Sequence, residues 1–199
     1  MGSMEPFSMV LSADPQLFRV VTDYDDRARA IPYNAKLVES INRAAELEQW
    51  PLQAGGGAVQ QPEALVVLGD LTEFYTQGQV DAFRHFYDSS FPRVGLHELS
   101  HNRSNTASSV QLPTWLLLGN HDYVNNVRDC SNQYKGSWDK NICARSAVDT
   151  MRSVMTPGCD DVTWGNFPRR NVTSFDVGSM AYSFDRGSWH FVVLQYNPR

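Results

Sequence analysis

Three apolar runs punctuate the chain, and each stops at a polar cluster. Met9-Val-Leu-Ser-Ala13 leads into Asp14-Pro15-Gln16, Ala64-Leu-Val-Val-Leu-Gly69 into Asp70, and Trp115-Leu-Leu-Leu118 into Gly119-Asn-His-Asp122. Short apolar runs bounded by turn formers predict strands buried on both faces, as in parallel sheets. In an open α/β sheet the ligand crevice lies beyond the carboxyl ends of the strands. If the three strands are parallel neighbours, Asp14, Gln16, Asp70, Asn120 and His121 face one space.

The segments between them supply cover. Leu37, Val38, Ile41, Ala44, Ala45 and Leu47 recur at helical spacing and predict a helix over 34–50, with Asn34 as its N-cap and Pro51 closing it. Residues 18–33, with Asp23, Asp25 and Asp26, read as a polar connection, and Gly55-Gly-Gly57 as a flexible link. A second helix is expected over 79–87, turning Val80, Phe83 and Phe86 inward and leaving His85 at the surface. Residues 92–113 read as a Ser- and Asn-rich loop. Residues 125–175 read as irregular apart from a helix around Ala147, Val148, Met151 and Met155. Met180–Asp185 and Ser188–Gln195 flank Asp-Arg-Gly, a hairpin signal, with His190 expected to pack inside. No repeat or linker divides the chain, so residues 8–199 are expected to belong to one domain, with 1–7 a tag remnant and leader.

A net charge of -5 and a pI of about 5.5 give no electrostatic footprint for nucleic acid. No apolar run approaches the roughly 18 residues of a membrane span. Cys130 and Cys143 bracket a loop and Cys159 is left over; a Cys130–Cys143 disulfide and buried reduced thiols are both open. Asn171-Val-Thr173 and Asn102-Arg-Ser104 match the glycosylation pattern. A secreted or periplasmic location is favoured over a cytoplasmic one. His97-Glu-Leu-Ser-His101 has the spacing of a helical zinc pair but not the H-E-x-x-H order. Trp138, Trp164, Arg169 and Arg170 could form a wall that selects substrate, or a structural cover.

Oxygen and imidazole donors without thiolates suit manganese, iron, zinc or magnesium. An Asp between two such cations can bridge them, and a metal pair lowers the pKa of water enough to supply hydroxide near neutral pH. Asp122, next to His121, could hydrogen-bond the imidazole and raise its pKa, letting His121 protonate a leaving oxygen.

Gly69-Asp70-Leu-Thr, Gly119-Asn-His-Asp122 some fifty residues later, and an Asp-containing turn after the first strand together resemble the calcineurin-like metallophosphoesterases. The resemblance implies a four-layer α/β/β/α fold and hydrolysis of phosphate mono- or diesters at a dinuclear site with a bridging hydroxide. Asp14 and Gln16 would then bind one metal, Asp70 would bridge, Asn120 would bind the second, and His121 with Asp122 would handle the leaving group. The substrate would be a phosphorylated small molecule or protein. Two departures stand out. Gln16 replaces the histidine of the common D-x-H block, and the family's later histidine and G-H-x-H block do not occur before Arg199. The chain therefore reads as the first half to two thirds of the fold, with the C-terminal remainder as its partner and little activity of its own. A binding module without complete metal coordination is the alternative. A third reading, three unrelated structural turns, leaves their shared position unexplained.

Overall fold

The computed structural model describes residues 7–17, 24–44, 46–91, 109–124, 139–156 and 164–195, apart from the side chains of 24–29 and 124. The first sheet comprises β1 (Met9–Ser12), β2 (Ala64–Val67) and β3 (Thr114–Leu116) in the order β1-β2-β3. All pairings are parallel, with Met9 opposite Ala64 and Leu65 opposite Thr114. Helices α1 (Tyr24–Ala44) and α2 (Gln77–Tyr87) make the crossovers and contact each other. Every residue of β2 is buried.

Helix α1 departs from expectation at both ends. It begins before the polar connection has run its course, passes through Pro32 and stops at Ala44. Proline removes one backbone donor and is a poor helix interior residue. Here Ala30, Ile31, Ala35, Leu37, Val38 and Ile41 pack against the core on both sides of it, and burial of that stripe outweighs the lost bond. Asn34 is consequently mid-helix rather than an N-cap. Its amide donates to the carbonyls of Ala30 and Pro15 at 3.0 and 3.1 Å and accepts from the Tyr87 hydroxyl at 2.9 Å.

Helix α2 conforms to its pattern. Phe83 and Phe86 are buried, and Gln79 folds back to accept from the amides of Phe74 and Thr76 at 2.8 and 3.3 Å, closing the first turn. Each fully buried aromatic of this kind contributes about 1.5–3 kcal/mol. Helix α3 (Ile142–Met155) extends the expected one by a turn at its start and packs against the turn that follows β3. Cys143 within it is disulfide-bonded; Cys130 and Cys159 lie outside the described residues.

A second sheet, antiparallel, comprises β4 (Val172–Phe175), β5 (Tyr182–Arg186) and β6 (Trp189–Val193). Strand β4 falls where only irregular chain was expected. The hairpin turns at Gly187-Ser188, with Arg186 opposite Trp189. This sheet faces the first through a stacked pair, Phe184 on Trp115 with centroids 3.6 Å apart, and within the second sheet Phe191 stacks on Phe184 at 4.9 Å. The described chain is a mixed α/β structure with two sheets, and none of its helices is long and apolar enough to cross a membrane.

Candidate functional site

The chain leaves β1 through Asp14 and Gln16, both with positive φ (51° and 27°), and leaves β2 through Gly69 and Asp70, φ 91° and 48°. A left-handed non-glycine residue costs of order 1 kcal/mol or more and persists only where its surroundings over-determine it. The determinants are visible. Gln16 N–H donates to the Asp70 carbonyl at 3.0 Å, and parallel pairing resumes between Leu17 and Thr72. Asn34 holds the Pro15 carbonyl from the helical side. Asp70 Oδ1 accepts the His121 N–H at 3.0 Å. Gly119 makes this approach feasible, because a Cβ there would collide with the Asp70 backbone nitrogen and carboxylate. Gly69 is also confined, though less severely, since its Cβ would lie 2.9 Å from the Gly119 Cα. Two glycines thus let the ends of β2 and β3 touch backbone to backbone.

After β3 the backbone makes a wide π-type turn over Asn120–Val124. Such turns recur at functional sites because they re-aim side chains. Asp122 is completely buried within it. Its carboxylate accepts from Leu71 N–H (3.0 Å), Thr72 N–H (2.8 Å), the Thr72 hydroxyl (3.1 Å) and Gly119 N–H (2.9 Å). Burial is the largest influence on its acidity, and against the four donors it leaves the pKa at about 7. The ionised form accepts from all four donors as they stand, whereas a protonated one would need the Thr72 hydroxyl to turn and accept.

Asp122 was expected to face the His121 imidazole, and the geometry differs. Both of its oxygens are committed to the strand ends. The carboxylate beside His121 is Glu73, whose Oε2 lies 3.1 Å from His121 Nδ1. Adjacent residues in a turn point apart, so His121 turns outward while Asp122 turns back between β2 and β3. Glu73 escaped the sequence reading. The available signal was an acid three residues beyond Asp70, on the same strand-end loop.

Asp14 and Asp70 approach closely enough for a side-chain hydrogen bond. Partial burial, then the charge of Asp70 and that hydrogen bond, hold the Asp14 carboxyl above its ordinary range, while His121 opposes the shift. Two carboxylates that resist joint ionisation are relieved by a cation between them. Gln16 leaves β1 beside them, its N–H on the Asp70 carbonyl, and Asn120 precedes the His121 N–H that Asp70 accepts; carboxylate oxygens of this kind suit hard or borderline divalent ions. Among the described residues no group of three or more His, Cys, Asp or Glu side chains is arranged to hold a metal.

Other candidates fall elsewhere. His190, expected inside, is exposed on β6, with Nδ1 2.5 Å from Asp185 Oδ1. His85 lies edge-on to Phe86. Trp164 is buried against Phe83, and Arg169 and Arg170 occupy a short 3-10 turn before β4. His97, His101, Asn102, Asp23 and Trp138 lie outside the described residues. No protein-family model, curated protein or solved structure matches the chain.

Proposed function

We propose that this chain carries the active site of a metal-dependent phosphoesterase of the calcineurin-like kind, acting on phosphate mono- or diesters, with the two sheets as the centre of a four-layer α/β/β/α fold. One observation carries the reading: Asp14 and Asp70 meet at the ends of neighbouring parallel strands, against the turn that bears Asn120 and His121. In this reading Asp14, Gln16, Asp70 and Asn120 would hold two divalent ions, manganese, iron, zinc or magnesium. Bound there, such ions supply charge neutralisation at phosphorus and a water acidic enough to attack it. His121, steadied by Glu73, gives its proton to the leaving oxygen. Asp122 holds the turn that carries His121.

The disulfide at Cys143 supports an oxidising compartment. The absence of a three-ligand cluster among the described residues favours a second reading, an incomplete binding module on the same scaffold. Titration with Mn²⁺, following free ion by electron paramagnetic resonance, separates the two. The phosphoesterase reading expects saturable binding that Asp70→Asn weakens at least tenfold, and turnover of aryl phosphate mono- or diesters by the full natural chain. Unchanged binding in the Asp70 variant, or a full natural chain inert to both esters with Mn²⁺ bound, would discard it.

A further inference from the structure

The turn after β3 takes its backbone partners from several parts of the molecule. Leu117 N–H still bonds the β2 ladder, at Val67 O, 3.0 Å. Gly119 N–H bonds Asp122, and His121 N–H bonds Asp70. Leu118 N–H, between the ladder and the turn, reaches neither. It donates to Gln195 Oε1 at 2.9 Å, just beyond β6 in the second sheet. Two residues earlier, the Leu116 carbonyl accepts from the Tyr182 hydroxyl of β5, also at 2.9 Å. Tyr182 pairs with Val193 in the hairpin, so both side chains project from its inner face. Both are buried.

We infer that Tyr182 and Gln195 are positioning residues, a donor and an acceptor from the second sheet that clamp the end of β3 and set where Asn120 and His121 stand. The chemistry of Gln195 supports this. Its Nε2 is buried with no hydrogen-bond partner among the described residues. An apolar side chain of similar length would fill the space without that unsatisfied donor, so what the amide adds here is its oxygen on Leu118. The clamp also assigns the second sheet a role at a site to which it contributes none of the residues proposed to bind metal. This inference rests on the proposed metal site only for its consequence, not for the clamp itself.

The test compares Gln195→Leu with Gln195→Glu, and adds Tyr182→Phe as a milder change that keeps the ring. Glutamate retains an acceptor for Leu118; leucine retains volume and apolarity. Amide hydrogen exchange is read first, with no metal or substrate added. The clamp expects Leu118 exchange to rise at least tenfold in Gln195→Leu, with amides of α3 unchanged, and to be largely kept in Gln195→Glu. A merely structural role reverses that order, since a buried carboxylate harms packing more than leucine does. Tyr182→Phe should loosen the same turn to a lesser degree. Mn²⁺ affinity should then fall about tenfold in Gln195→Leu, as is usual when a partner supporting a ligand is lost. In the full natural chain kcat should fall more than KM changes. Faster Leu118 exchange in Gln195→Glu than in Gln195→Leu, or equal exchange in all variants, overturns the inference. A wild-type chain that binds no Mn²⁺ would instead count against the metal site and leave the exchange result standing.

Discussion

The parallel and antiparallel sheets bury their side chains in different ways. Strand β2 is buried along its whole length, whereas in the β6 segment Val193 turns inward while Val192 and the following Leu194 are 60% and 72% exposed. A strand covered on both faces leaves no side-chain position free along its length, so polar chemistry collects where it ends. A sheet with one open face spreads its polar groups along the strands instead, as the exposed Ser174 and the Asp185–His190 pair do here. In the first sheet a polar residue at a strand's carboxyl end therefore marks an exit and a candidate site, while in the second the exposed polar residues mark the outer face. The same substitution should consequently have unequal effects in the two regions.

The largest effect is expected at Asp122. Alanine there leaves Leu71, Thr72 and Gly119 with buried amides and no acceptor, a loss of about 4 kcal/mol or more. Asparagine should be nearly as damaging. Whichever way its amide is turned, the NH₂ faces donors, because Leu71 and Gly119 address one oxygen and Thr72 the other. Urea unfolding of the two variants beside Asp185→Asn, a carboxylate of the open face, measures the contrast. Asp122 variants as stable as Asp185→Asn would mean that the strand ends are not held by this carboxylate.

Next comes His121. In the full natural chain His121→Asn should lower turnover by about 10² to 10⁴, the range for a positioned general acid, while leaving Mn²⁺ bound. Glu73→Gln should cost about tenfold, because it loosens the imidazole without removing it. His190→Asn, on the open face, should leave turnover unchanged although His190 also has a carboxylate partner. Equal losses at His121 and His190 would show that an acid–imidazole pair alone does not distinguish the regions.

This contrast also explains what could be read from sequence. The strands β2 and β3 were legible because burial on both faces leaves uninterrupted apolar runs, β1 because its short run is apolar even though Leu11 is exposed, and the candidate ligands because those runs stop abruptly. Strand β4 was not, since Val172-Thr-Ser-Phe175 sits on the half-open sheet and shows little apolar signal. Helix α1 was misplaced because Pro32 and the acids before it resemble a connection, while the stripe from Ala30 to Ile41 that holds the helix is only meaningful once the sheet beneath it exists. The role of Asp122 was hidden for another reason. Sequence adjacency to His121 suggested contact, but the turn sends neighbouring side chains in different directions, and the partners of Asp122 lie some fifty positions earlier.

Glycine substitutions provide a smaller test. Gly119→Ala should cost about 3 kcal/mol, because the new Cβ meets the Asp70 backbone and carboxylate, neither of which can yield without moving the strand end. Gly187→Ala, in the β5–β6 turn, meets nothing within 4 Å. Only its φ of 56° opposes the side chain, at about 1 kcal/mol. Thermal unfolding ranks the pair, and Mn²⁺ affinity should fall in the first alone. Equal costs would mean that the contact between β2 and β3 is looser than the distances describe.

The smallest effect separates the two regions by sign. In the turn after β4, Asp176 Oδ1 accepts the Ser179 N–H at 2.6 Å and the Ser179 hydroxyl at 2.7 Å, and these bonds hold its pKa below the usual 3.8. A carboxylate with a lowered folded pKa adds stability that is fully present above 3.8 and is lost as pH falls through the folded value. Asp14 runs the other way. Its raised pKa favours the protonated form, so the contribution it makes is present below 3.8 and is lost as pH rises through the folded value. Carboxyl carbon NMR of the metal-free chain reads both titrations. The Asp176 midpoint should lie below 3.8 and move part of the way back in Ser179→Ala, which removes the hydroxyl but keeps the backbone donor. The Asp14 midpoint should lie above 3.8 and drop in Asp70→Asn, where the like charge is gone. Midpoints on the same side of 3.8 would remove the electrostatic difference between a strand-end cluster of acids and a single acid in an open turn.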